Sequence, residues 1–379
     1  MAVFGVVLAL PGTALGLADV RARLGIGLAQ QGQMILLVFV GLAAATLGVG
    51  PLVDRFGTKR VLAASAFIVG AGLLMFAAAR GAAAVAAAML TLGIGGAGIN
   101  TAANVLVSDI YPAGRGRMLN RLALGSSVGG LLLPLLAAVT FGRVPIRELT
   151  LLVAAIAMVA SLWTASLRFA VAPAHTSINL ASLWRVGRLP GLWLLGLLLL
   201  LESANESAMA GWTSTYGQAL GLAPARATWV LAFHWMALTA GRGVLSGTVD
   251  RVGRRRVAIA CAACAAAGAV ALVVAATPAG LVLSAVLLGV AFSLIFPTVL
   301  AIGGQRYPEN AGTVFGCLLA SAQVGGIVFP ALIGAIAEAT TVRTGMGVLV
   351  ATTAALLLLI GPATRGPREM KKAEGTKAE

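Results

Sequence analysis

Glu202 and Glu206 stand one helical turn apart, with Asn205 between them on nearly the same face. The run that holds them, 190–210, is otherwise rich in leucine and alanine. Placing a charged side chain in such a run costs roughly 2.5–3.5 kcal/mol in a bilayer, so each one is a functional candidate by default. Two carboxyl groups this close in a low-dielectric place do not both stay ionised easily, and one of them can carry a proton. The competing reading is a static carboxyl that braces two helices. Histidine titrates near neutral pH, so His234 can join a proton relay; a hydrogen-bonded packing role is the alternative. Arg242 lies eight residues before Asp250 in an apolar run and needs a partner or water. It can pair with a glutamate of 190–210, bind a solute directly, or form a structural ion pair. Asn100 and Asn104, four apart, share one helix face. Their amides can bind the hydroxyls of a sugar-like solute or hydrogen-bond between helices. Trp235 can stack on a sugar ring. Trp212 and Tyr216 are expected to be anchors at an outer membrane boundary.

The elements that must position these groups follow from composition. Of 379 residues, 59% are hydrophobic and 10% charged, against roughly 25% charged in soluble domains. Mean hydropathy is +0.98. That much apolar surface cannot be hidden from water, which excludes soluble enzymes, disordered chains and fibrous proteins. An all-α integral membrane protein is what remains. Twelve runs can each span a bilayer: 2–18, 30–53, 61–79, 83–108, 119–141, 149–168, 190–210, 225–248, 257–276, 280–304, 312–338 and 344–362. The first begins at Met1 without a basic leader and reads as a membrane helix.

The net charge is +15, yet no basic run with interleaved aromatics suggests nucleic acid. The charges sort by topology instead. Connectors after even-numbered runs, with the tail, hold 19 Lys and Arg; the others hold 7, and Arg242 is inside a run. The imbalance puts both termini in the cytoplasm, with the basic tail facing anionic lipid heads. Three cysteines imply no disulfide framework, and Cys261-x-x-Cys264 lies within an apolar run, where small residues serve helix packing. Gly93-x-Gly95-x-x-Gly98 matches a dinucleotide fingerprint but lacks the strand and acid that motif needs, so it too reads as packing. No metal cluster, Walker loop or catalytic triad is visible, so neither a cofactor nor ATP hydrolysis is expected.

The chain repeats itself. Asp54-Arg55-x-Gly57 recurs as Asp250-Arg251-x-Gly253, Leu92-Gly93 as Leu288-Gly289, Tyr111-Pro112 as Tyr307-Pro308, and Val128-Gly129-Gly130 as Val324-Gly325-Gly326, each 196 residues later. Two related six-helix halves in parallel orientation follow, with a binding site between them near mid-membrane. The expected units are 1–168, a cytoplasmic linker 169–189, 190–363 and a basic tail 364–379.

Gly50-Pro51-Leu52-Val53-Asp54-Arg55-Phe56-Gly57-Thr58-Lys59-Arg60, repeated as Gly247-Thr248-Val249-Asp250-Arg251-Val252-Gly253-Arg254-Arg255-Arg256, resembles the signature of the major facilitator superfamily. The resemblance covers the whole chain. It implies twelve helices in two pseudo-symmetric bundles, alternating access, and a cavity lined by helices 1, 4, 7 and 10. It also implies a cytoplasmic latch of Gly50, Asp54, Arg55, Gly57 and Arg60, and of Gly247, Asp250, Arg251, Gly253 and Arg255, with Asp109 beside the first copy. Aspartate at a helix end can pair with arginine or a neighbouring helix N-terminus, in contacts that form in one arrangement and break in another.

Asn100 to Asn120, Glu202 through Tyr216, and Gly241-Arg242 look like the corresponding helices of fucose-permease-like sugar/proton symporters. By that likeness Asn120 joins the solute site, and Gln323 is a polar mate in the other half. Unlike fucose permease, the first helix has no ionisable residue. The expectation is proton-coupled uptake of a sugar or similar small polar solute by an inner-membrane protein acting as a monomer. Proton-coupled efflux of amphipathic compounds is the runner-up, favoured by the apolar first helix. A membrane receptor or scaffold is the alternative of another class, which the lack of a soluble output domain disfavours.

Overall fold

The computed structural model describes residues 1–111, 115–167, 190–245, 247–307 and 311–364. The expected linker 169–189 and the tail beyond Thr364 lie outside these residues, as do the side chains of Asp109, Asn120 and Asp250.

Every regular element among the described residues is helical. Helix α1 (Ala2–Leu10) runs into a π turn (Pro11–Leu15), then bends by 85° into α2 (Ala18–Leu24). Pro11 has no N–H to donate to the ladder, which favours the wider turn at that point. The first half continues with α3 (Leu28–Phe56), α4 (Thr58–Ala78), α5 (Ala82–Ile110), α6 (Arg115–Val139) and α7 (Ile146–Ser166). The second half is α8 (Pro190–Ala219), α9 (Pro224–Val244), the short α10 (Thr248–Val252), α11 (Arg254–Val274), α12 (Pro278–Arg306), α13 (Ala311–Ala339), the short α14 (Val342–Met346) and α15 (Val348–Ala363).

Ten spans among the described residues are long and apolar enough to cross a membrane, or eleven with the bent pair at the start. The expected twelve falls short at α9. That helix has 21 residues, about 31 Å at 1.5 Å each, but carries Arg226, His234 and Arg242. It can do so because it packs against α6, α8 and α12, not against lipid alone. Lipid-facing stripes look different. On α7, Leu152, Ile156, Val159, Leu162 and Trp163 are all at least half exposed along one face, the apolar exterior a bilayer requires.

The duplication extends to atomic detail. Helices α4 and α11 keep the same bounds under the shift of 196, as do α5 and α12. Gly57 and Gly253, between consecutive helices, share a left-handed φ of 82° and 95°, which a side chain would strain. A methyl group on Gly93 would overlap the Val38 carbonyl, and one on Gly289 would press on the carbonyl of His234, 196 residues after Val38. Gly93→Ala and Gly289→Ala are each expected to cost about 1–3 kcal/mol by overpacking. Melting in detergent should show matched losses for the pair.

Each half has its own buried apolar cluster. Between the halves the packing is uneven. On the side away from the termini, Gly12, Gly32 and Gly334 bring backbones of opposite halves together. On the side that holds the termini, a methyl at Gly48, Gly50, Gly243, Gly247 or Gly316 would meet nothing within 4 Å. The backbone contacts between the halves are thus on the side away from the termini.

Candidate functional site

Helix α8 carries the acidic groups because its 30 residues cross the centre of the molecule against α13, α9 and α15. Glu202 lies 12 residues in, about 18 Å deep. It is fully buried, and neither carboxyl oxygen has a hydrogen-bond partner among the described residues. The charged groups acting on it are Glu206 and Arg242. Arg242, on α9, reaches the Glu206 carboxylate at 3.4 Å, with the two side chains 10% and 19% exposed. The same guanidinium donates to Ser127 Oγ at 2.6 Å, across the halves.

His234 is fully buried; its Nδ1 lies 3.0 Å from the Ala285 carbonyl, which ties α9 to α12, and its Nε2 has no partner among the described residues. The sequence thus places Glu202, Glu206, Arg242 and His234 in one neighbourhood, since Glu206 and Arg242 also act electrostatically on His234. Asn205 points elsewhere. It donates to the Leu201 carbonyl and accepts from Thr352 Oγ1 at 2.7 Å, so it joins α8 to α15 inside its own half. Asn104 donates to Asn100 within α5, and both are half-buried. Gln323 Nε2 donates to Thr46 Oγ1 at 3.4 Å across the halves. Trp235 is 2% exposed, its ring seated on Gly130 of α6.

Trp212 and Tyr216 are not boundary anchors. Both are fully buried, and Tyr216 donates to the Leu272 carbonyl at 3.1 Å. The helix runs to Ala219, nine residues past the expected end, which carries both rings into the bundle.

A profile of the Major Facilitator Superfamily matches residues 1–247 and again 192–378. The chain belongs to the major facilitator superfamily. Membership of this superfamily makes it a membrane transporter, not an enzyme, and a multi-pass membrane protein. Among solved structures, that of a mutant of the nucleoside transporter NupG is similar over 96% of this chain and 98% of its own, with TM-score 0.77 and 13% identity. A bacterial homologue of the human lysosomal transporter Spinster, solved inward-facing and unoccupied, is similar over 96% and 95%, with TM-score 0.74 and 14% identity. These likenesses concern the fold. No curated protein sequence matches the chain.

The superfamily motif lies on the side that holds the termini. Asp54 is exposed and forms no ion pair among the described residues, and Arg55 lies over the Phe56 ring instead. The expected pairing of Asp54 is not found among the described residues. Arg60 lines a shallow pocket with Phe56, Lys59, Ala63 and Ala165. Arg251 and Arg255 are exposed beyond α9.

The seal on the other side escaped the sequence reading. Gln31, fully buried, donates to the Gly211 carbonyl and to Thr215. Arg21 donates to the Leu15 carbonyl at 2.6 Å and to Thr215 at 3.4 Å, and Gln218 donates to the Gly16 carbonyl at 2.6 Å. Glu338, the acid nearest the end of α13, accepts from the Leu28 and Ala29 amides at 2.9 and 3.3 Å. It caps the N-terminus of α3 from the opposite half, where a negative charge is favoured. Glu338→Ala is expected to cost about 1–2 kcal/mol of this closed arrangement. A cysteine accessibility assay on this face should show labelling rise several-fold.

Proposed function

We propose that the chain carries a sugar or similar small polar solute together with a proton, by alternating access between its two halves. The supporting observation is Glu202: a buried carboxyl without a donor, beside the Glu206–Arg242 pair, between a sealed face and an open one. A buried carboxyl one turn from a second one, with Arg242 acting on it, is a place where a proton can be loaded and released. Arg242 and Glu206, partly exposed, offer a donor and an acceptor to a solute. Asn100, Asn104, Asn120 and Gln323 supply amides for hydroxyl groups. His234, with one free ring nitrogen, is placed to pass a proton.

The excess of basic residues on the termini side supports a reading in which that side faces the cytoplasm of an inner membrane. On that orientation the opening faces inward, and the two copies of the superfamily motif, with Asp109, close it in the opposite state. Efflux by antiport is the second reading, favoured by the absence of an ionisable residue from the first helix. Counterflow into proteoliposomes, over a panel of pentoses, hexoses and nucleosides, tests the proposal. Nucleosides join the panel because a structural relative carries them and because they contain a sugar. Exchange of one panel member is expected; no exchange of any of them, with exchange of amphipathic cations instead, would establish the second reading.

A further inference from the structure

The seam between the halves is built twice. Phe39 of α3 lays its ring on Gly326 of α13, and Trp235 of α9 lays its ring on Gly130 of α6. The two rings are 196 residues apart, and so are the two glycines. Each contact crosses from one half to the other, in opposite senses. Two turns further along α3 and α9, each seam carries a polar link: Thr46 to Gln323, and Arg242 to Ser127. Thr46 and Arg242 are again 196 apart, as are Ser127 and Gln323.

The level of the rings is informative. Towards one face the halves touch backbone to backbone at Gly12, Gly32 and Gly334; towards the other, Gly48, Gly243 and Gly316 face open space. Phe39 and Trp235 each lie 11 residues into their helices, between the closed end and the open one. A fulcrum belongs at that level. The surfaces suit one: a flat ring over a glycine backbone lacks the interlocking ridges and grooves that fix a helix crossing. A methyl on either glycine would overlap the ring above it.

We infer that these two matched ring-on-glycine contacts are the pivots on which the halves rock. The inference rests on the alternating-access reading and names the residues that carry the motion. Gly130→Ala and Gly326→Ala should each slow counterflow at least about tenfold, by raising the barrier to the switch. Phe39→Leu keeps an apolar group but loses the flat ring, and should also slow exchange; Phe39→Tyr keeps the ring and should exchange as the unaltered protein does.

The direct readout is the distance between spin labels at positions 56 and 252, one per half on the open side, with Cys261, Cys264 and Cys317 replaced by serine. Two distance populations are expected without further change, and one in either alanine variant. Distances and counterflow unchanged by both alanines and by Phe39→Leu would overturn the inference. If the alanine variants fail to fold, Phe39→Leu against Phe39→Tyr decides: equal exchange by the two overturns it. If no panel solute moves with the unaltered protein, the transport reading fails, and the label distances still test the pivots.

Discussion

Glu202→Gln protein is expected to exchange its solute across a membrane but not to accumulate it. A one-unit pH gradient is worth about 1.4 kcal/mol, enough for about tenfold accumulation of a neutral solute moved with one proton. Glutamine keeps the shape of Glu202 and takes its place without a negative charge, so the burial is tolerated and the fold persists. What glutamine cannot do is load and release a proton. Gradient-driven uptake should therefore fall from about tenfold accumulation to none, while counterflow, which needs only the two arrangements and the solute site, continues. Full accumulation by the variant would remove Glu202 from the coupling and move attention to Glu206 and His234.

Arg242→Ala should have two separable effects. The guanidinium holds Glu206 at 3.4 Å and Ser127 at 2.6 Å, one in its own half and one across the seam. Truncating one partner of a largely buried pair leaves the other charge uncompensated, at about 3 kcal/mol. The melting temperature in detergent should drop accordingly. Adding Glu206→Gln removes the stranded charge and should recover most of that loss. Transport should not recover, since the donor offered to the solute is gone. A double variant that regains both stability and transport would reduce Arg242 to a structural residue.

Much of this architecture is legible in the residues themselves. The repeated landmarks at Asp54, Gly93, Tyr111 and Gly129 foretell a duplication that the helix bounds repeat at the same shift, because helix ends are set locally by glycine, proline and charge. The pairing of Arg242 with a glutamate of 190–210 is among the alternatives that the sequence offers, since a charge inside a bilayer must find a partner. Other features depend on partners far along the chain. Gln31 meets Thr215 and Glu338 meets Leu28 only when two halves fold together, so nothing near those residues announces a seal. Ser127 is one of two adjacent serines in α6 until Arg242 reaches it. Trp212 and Tyr216 read as boundary anchors only while the span ends at 210; the helix runs on to Ala219 and buries both rings. Asp54 is the opposite case: its motif is plain in the sequence, and the pairing expected of it is not found among the described residues.

The central claim is that the chain moves a small polar solute and a proton together. Proteoliposomes loaded with a pH-sensitive dye, holding the unaltered protein, test it by addition of each pentose, hexose and nucleoside in turn. The account predicts that one of them acidifies the lumen, and that Glu202→Gln abolishes the acidification while leaving counterflow of the same solute. Counterflow without any change in lumenal pH, or a rise in it, would contradict the account.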